Sequence, residues 1–325
     1  MSTALGTELR PALPRDLWNT TEMGRFLEKI EATHGVHFDT YDQAWAWSVA
    51  NLEDFWQSIW DHFEIMSHAP HTAVLGKKTM PGAEWFPGAR LNFAEHIHRA
   101  LVQHADAPIL INRSQTTGFS EWTGQRLLDE IAAQRAGLVT QGIGEGDRVV
   151  GYLPNIPQTV ALYFAVASLG AIWCSVPPEM GPQSVLDRIE QLEPSLMIAI
   201  NGYKWGAKEV SRTEELARIR AALPAMKVVL LPYLDQNCEI PAGVTAYAEF
   251  TKNTATMEFV PVAFDHPLVI LFSSGTTGKP KAIVQRSCSI SSEKFVKNLL
   301  LLGLCNSASC VTNLNDQAIL FNFKP

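Results

Sequence analysis

The sequence has little of what usually gives a function away at first sight. Cysteine is sparse, with five residues at 174, 238, 288, 305 and 310. None stands in a C-x-x-C pair, so neither a zinc site nor a thioredoxin-type redox pair is signalled. An odd number of cysteines without a secretory leader fits reduced thiols in the cytosol, acting as small apolar residues in or near a core. Long hydrophobic runs are missing too. The run around Leu299–Leu302 is broken by Lys297, Asn298, Gly303 and Asn306, and no run approaches the roughly 18–20 apolar residues that a membrane span needs. The first thirty residues hold no unbroken apolar segment and do not read as a secretory signal. Positive charge is not in excess: the formal net charge is −7, which favours neither nucleic acid nor an anionic membrane as partner. There is no internal repeat, no low-complexity tract and no Gly-x-Ser-x-Gly nucleophile elbow. "GIGEGD" at 142–147 carries glycines, but it follows a helical pattern and precedes a strand pattern. A dinucleotide fingerprint, as in a dehydrogenase, needs the reverse order. His96 and His98 are two apart on a helical pattern, so they diverge by about 200° and cannot share a metal on one face. They are expected at the surface or its boundary, and the other histidines form no metal spacing.

What is there is an ordinary soluble composition, 46% hydrophobic and 18% charged over 325 residues, long enough for a large core or two domains. Three zones differ in texture. Residues 1 to about 90 are rich in Trp and His. Within them "YDQAWAWSVANLEDFWQSIWDHFEI" spaces Trp45, Val49, Leu52, Phe55, Trp56, Ile59, Trp60 and Phe63 by threes and fours. That pattern predicts an amphipathic helix, broken near Asn51, with the aromatic stripe in a core. Asn51 or Ser48 is a candidate cap for a second helix.

From about 91 to 272 helical and strand patterns alternate. A helix from Thr123 to Gly142 is followed by the strand "DRVVGYL", an apolar helix ending at Gly170, and the strand "AIWCSV". Then come the helix "QSVLDRIEQLEP", the strand "SLMIAI", the helix "EELARIRAAL" and the strands "KVVLLP" and "PLVILF". This rhythm predicts an α/β fold with a parallel sheet, right-handed crossovers and helices on its faces. Ligands in such sheets bind beyond the carboxyl ends of the strands. The third zone, from about Ser287, loses the rhythm and holds three of the five cysteines.

At the carboxyl end of "PLVILF" stands "SSGTTGKPK", residues 273–281. Glycines let backbone N–H groups approach phosphate oxygens, hydroxyls add donors, and lysine adds a point charge. The string is not a Walker A loop. Only Thr276 and Thr277 separate Gly275 from Gly278, and Pro280 follows Lys279. Pro280 has no N–H and discourages a helix through Lys279. The phosphates are therefore expected on a loop rather than on a helix N-terminus.

This string resembles the signature loop of the adenylate-forming enzymes, the superfamily of acyl-CoA synthetases, adenylation domains and luciferases. "WSVANLEDFWQSIWDHFEI" and "PGAEWFPGARLNFAEH" resemble its acyl-CoA synthetases. "AIWCSVPPEMGPQSVLDRIEQLEP" and "NGYKWGAKE" are similar to the branch that activates acetoacetate, more than to the acetyl and propionyl branch, which stays open as an alternative. The resemblance covers roughly residues 15 to 286. It implies a two-step ligase of cytosolic lipid metabolism: a carboxylate attacks the α-phosphorus of ATP, and CoA then displaces AMP from the acyl-adenylate. It implies that Ser273, Ser274, Gly275, Thr276, Thr277, Gly278 and Lys279 line the ATP phosphates, that Lys281 braces the loop, and that Mg²⁺ neutralises the departing charge. Lys204 and Lys208 fall where CoA phosphates approach.

The sequence also departs from the family. Where the family continues into a His and a Gly pair, this chain has Gln285, Arg286, Ser287, Cys288 and Ser289. The family's aromatic-Gly-x-Thr-Glu segment, ribose-binding Asp and adenylation lysine have no counterpart after residue 285. The expectation is therefore a helical extension over 1–90, an incomplete adenylate-forming N-terminal domain over 91–286, and a poorly ordered tail over 287–325 that reads like sequence from outside the normal frame or from an intron. No catalytic residue is assigned. The polypeptide is expected to be non-catalytic as written, with a binding or regulatory fragment as the rival reading.

Overall fold

The computed structural model describes residues 21–80, 82–273 and 279–286, and the backbone of 318–321. Ser274, Gly275, Thr276, Thr277 and Gly278 lie outside the described residues, as does the tail from 287 apart from 318–321. The chain divides into two compact units, Met1–Ile65 and Met66–Pro325.

The first unit contains α1 (Glu22–His34), α2 (Tyr41–Ala50) and α3 (Leu52–His62). Thr21 caps α1 by accepting from the Gly24 N–H, and Gly35 ends it at φ 66°. Thr40 caps α2 through the Gln43 N–H. The break falls at Asn51, as the pattern predicts, but Asn51 does not cap α3 with its side chain. Its amide donates back to the Trp47 carbonyl at 3.0 Å. The expected aromatic core is only partly realised. Ile59 is buried, whereas Trp45, Val49 and Leu52 are 59%, 53% and 42% exposed. The reason lies in what faces each helix. Phe26 of α1 meets Phe55 and His62 of α3 edge-on. Within this unit α2 is covered through buried Ala44 and through Trp47, whose ring packs on His34 and Phe38.

The second unit runs β1 (Arg90–Leu91), α4 (Phe93–Gln103), β2 (Pro108–Ser114), β3 (Gly118–Thr123), α5 (Gly124–Thr140), β4 (Arg148–Tyr152), α6 (Pro157–Ser168) and β5 (Ile172–Val176). It continues with α7 (Pro182–Ile189), a 3-10 turn (Glu190–Leu192), β6 (Leu196–Ile200), β7 (Gly202–Trp205), β8 (Lys208–Ser211), α8 (Thr213–Ala222) and β9 (Lys227–Leu231). After β10 (Thr245–Ala246), α9 (Tyr247–Phe250) and β11 (Val262–Ala263) come β12 (Pro267–Phe272), β13 (Ala282–Arg286) and β14 (Ala318–Phe321). The main sheet has the order β10-β9-β6-β4-β5-β12-β13. Every neighbouring pair is parallel except β12 and β13. Its strands alternate between two cores. Val149, Trp173, Leu196, Ile198 and Leu268 pack with α5 and α6, while Val150, Cys174, Met197 and Ile270 pack with α7 and α8. Near-continuous apolar strands follow from burial on both faces. β14 pairs antiparallel with β2, which also pairs with β3.

Candidate functional site

Strand order places the crevice. From β4 the chain crosses to β5 on one side, and from β5 it returns to β6 on the other side of β4. That reversal is a topological switch point, beside which open α/β sheets bind ligands at the carboxyl ends of the strands. Leaving those ends are Leu153–Asn155 after β4, Pro177–Gly181 after β5, Asn201 and the β7–β8 hairpin after β6, and Ser273 after β12.

The described ends of the Ser/Gly/Thr loop join antiparallel strands. Phe272 faces Ala282, and the Ser273 N–H donates to the Lys281 carbonyl at 3.2 Å. The two described arms of the loop therefore run antiparallel, the arm after it continuing as β13. Lys281 is exposed. Lys279 is also exposed, with its ammonium 3.8 Å from Asp187 Oδ1 on α7.

Lys204 and Lys208 fall on facing strands of the β7–β8 hairpin, where Lys204 pairs with Glu209 at 3.4 Å. The hairpin is seated on the β2–β3 turn. The Lys204 N–H donates to Thr116 Oγ1 at 2.9 Å, and the Gly206 N–H donates to Gln115 Oε1 at 2.6 Å. Ser114 holds that turn, accepting from the Thr116 and Thr117 N–H groups and contacting the Tyr233 hydroxyl. β6 and β12 are separated by β4 and β5, so at about 4.8 Å per strand the two lysine-bearing segments leave the sheet roughly 14 Å apart.

Between them sits a network with no motif to announce it. The Tyr152 hydroxyl donates to the Met180 and Pro178 carbonyls at 2.7 and 3.1 Å. Arg212, 9% exposed, donates to the same Pro178 carbonyl at 2.6 Å, to the Tyr203 hydroxyl at 3.1 Å and to Glu215 at 2.8 Å. Burial pushes the Tyr152 phenol up to about 12, so it stays protonated and serves as a donor. The network fixes the segment after β5 against the hairpin after β6.

His96 corrects an expectation: it is buried, at 6% exposed. Its Nδ1–H donates to the Asn92 carbonyl at 3.0 Å, and its Nε2 accepts from the Met66 N–H at 2.9 Å. Two backbone partners make an interior imidazole tolerable, and burial lowers its pKa. His98 is half-buried against the Phe259 ring. Cys174 is buried, and burial pushes its thiol up to about 12; Cys238 is half-buried, and both are free thiols. Among the described residues no group of three or more His, Cys, Asp or Glu could hold a metal ion, and no helix is long and apolar enough to cross a membrane. A cavity of about 460 Å³, lined among others by Lys77, Trp85, Arg90, Phe264 and Arg286, lies at the amino end of β12, away from the loop.

With this geometry in place, the comparisons fix the class. The sequence model of AMP-binding enzymes matches residues 97–302, and that of the acetyl-coenzyme A synthetase N-terminus matches 41–97. The chain belongs to the AMP-binding enzyme family. Acetoacetyl-CoA synthetase of Macaca fascicularis is 34% identical over 281 residues, covering 83% of this chain and 42% of its own. Acetoacetyl-coenzyme A synthetase of Rhizobium meliloti is 36% identical over 277 residues, with the same two coverages. A malonamoyl-CoA synthetase of Penicillium aethiopicum is 32% identical over 283 residues, covering 82% of this chain and 39% of its own. The solved structure of acetoacetyl-CoA synthetase from Streptomyces lividans superposes with a TM-score of 0.84 at 38% identity, over 92% of this chain and 46% of that one. The chain thus spans less than half the length of these relatives, and the α/β fold expected from the sequence is the fold it shares with that structure.

Proposed function

We propose that this chain supplies the phosphate-binding face of an ATP-dependent ligase site that joins acetoacetate to CoA through an acyl-adenylate. One observation carries the reading: a Ser/Gly/Thr loop with two lysines leaves the carboxyl end of β12, a half-buried strand parallel to its neighbour β5 and next but one to the central strand of a switch-point sheet. Bound ATP supplies the activated phosphorus. The chain's own task is to hold anionic groups where they would repel one another. Backbone N–H and hydroxyl groups of Ser273, Ser274, Gly275, Thr276, Thr277 and Gly278 hold the β- and γ-phosphates, and Lys279 adds positive charge. Lys281 holds the neck of the loop. Lys204 and Lys208 meet the CoA phosphates. Mg²⁺ enters with the nucleotide, held mainly by phosphate oxygens. The cytosol, where ATP and CoA are both present, is the proposed location.

The similarity to acetoacetyl-CoA synthetases supports acetoacetate over acetate and propionate as the acid. The test is calorimetric titration of ATP and of pyrophosphate, together with pyrophosphate release in the presence of each acid and CoA. Lys279→Ala is expected to weaken pyrophosphate binding about tenfold, the lower end for losing a charged hydrogen bond. Unchanged affinity in Lys279→Ala would count against the loop. A second reading, a chain that binds the nucleotide without turnover, is favoured by Gln285, Arg286 and Ser287 standing where the family signature continues. It expects pyrophosphate binding with no acid-dependent release.

A further inference from the structure

One face of α7 and the turn that follows it is built as a ladder against the exit of the phosphate loop. Gln183, Asp187 and Gln191 recur at intervals of four, the spacing that stacks side chains along a helix. The Gln183 amide donates to Asp187 Oδ1 at 2.9 Å. That same oxygen faces the Lys279 ammonium at 3.8 Å. The Gln191 amide donates both to the Asp187 carbonyl at 2.5 Å and to the Pro280 carbonyl at 3.0 Å. One residue along, Arg188 is held by Ser184 and lies over the Phe272 ring at 5.9 Å, at the entry of the same loop. Both arms of the loop thus rest on α7, through contacts of different kinds. The Gln191 contact goes to a backbone carbonyl and fixes position. The Asp187 contact goes to a charge that phosphate also wants.

We propose that Asp187 is a latch: it parks the Lys279 ammonium in the empty site and gives it up when a polyphosphate arrives, while Gln191 keeps the exit of the loop in register. This rests on the reading of 273–281 as a phosphate loop. The Lys279 end of the pair is exposed and Asp187 is half-buried, so solvent screens the pair and the carboxylate competes with phosphate only weakly. Asp187→Asn is therefore expected to tighten pyrophosphate binding by about two- to fivefold. Asp187→Glu restores the native affinity, and Gln191→Ala weakens it.

The experiment titrates pyrophosphate into the native chain, the three variants, Lys279→Ala, and the Lys279→Ala Asp187→Asn double variant, by calorimetry at low and at 0.5 M salt. If Asp187 acts through Lys279, the gain in Asp187→Asn vanishes in the Lys279→Ala background and shrinks at high salt. A gain that persists without Lys279, or no gain at all, overturns the latch while leaving the phosphate loop standing. Failure of the native chain to bind pyrophosphate overturns both.

Discussion

Asn92 deserves the first experiment, because it separates what a motif does from where it sits. It closes the "WFPGARLN" segment that resembles the acyl-CoA synthetases, yet its hydrogen bonds go to Ala94, Ala167, Ser168 and Val260 and not to the described residues of the proposed phosphate loop. Its side chain is 1% exposed. Its Oδ1 accepts from the Ala94 N–H at 2.9 Å, capping α4. Its Nδ2 donates to the Val260 and Ala167 carbonyls at 2.8 and 2.9 Å, and more distantly to Ser168. One amide thus ties the start of α4 to the end of α6 and to the strand-free segment before β11. Asn92→Ala removes a cap, about 1 kcal/mol. It also leaves the Val260 carbonyl without a donor, at about 1–3 kcal/mol, while the Ala167 and Ser168 carbonyls keep the Gly170 and Val260 N–H groups. The expected loss is about 2–4 kcal/mol, more than one decade in the unfolding equilibrium. Asn92→Asp is the sharper variant. Asp caps an exposed helix as well as Asn does, but here it loses both donor hydrogens and turns a carboxylate toward carbonyl oxygens. It is expected to be at least as damaging as Ala. Urea unfolding followed by tryptophan fluorescence, with the denaturant slope unchanged, measures both. If Asn92→Asp stays within about 0.5 kcal/mol of native, the size of a neutral surface change, the bridging role is refuted and Asn92 is only a cap.

Three further outcomes follow from the interior of the second unit. Gly151→Ala places a Cβ 2.3 Å from the Trp173 indole in the middle of the sheet; overpacking of this kind costs about 1–3 kcal/mol, read from the urea midpoint, and a neutral variant would mean that the indole moves freely. Burial lowers the His96 pKa from the ordinary 6.5, so the folded state holds the neutral ring. The resulting stability is complete above about pH 6.5 and is lost as pH falls through the folded value, while the unfolded chain takes up the proton. His96→Gln should flatten that part of the stability profile, and an unchanged slope would exclude His96 as its source. The buried Cys174 thiol, pushed up to about 12, should resist iodoacetamide at pH 8 in the native state and react in urea; peptide mapping that finds Cys174 modified in the folded protein contradicts its burial.

Most of the second unit was legible because its signals are local and redundant. Thr123 before a 3.6-residue pattern with Gly142 after it became α5, and six apolar residues followed by a polar loop became β12. The misses share a physical cause, dependence on what arrives from elsewhere in the chain. The stripe at Trp45, Val49 and Leu52 has the right period, but a period states only that one face is apolar; the partner that covers it is a tertiary fact, and within its unit α1 serves α3 instead. His96 looks like a surface histidine until the Met66 N–H and the Asn92 carbonyl supply its two partners from 30 residues upstream and from one turn before it. The site divides in the same way. The proposed phosphate loop and its lysines are visible as a string, since phosphate binding calls for specific residue types in consecutive order. The supports of that loop are not. Gln183, Asp187 and Gln191 form an ordinary polar helix face in the sequence, and only the crossover from β5 to β6 carries that face to the exit of a loop nearly a hundred residues later. Chemistry written in one stretch of chain can be read directly, whereas the position of that chemistry is set by side chains whose sequence context gives no sign of it.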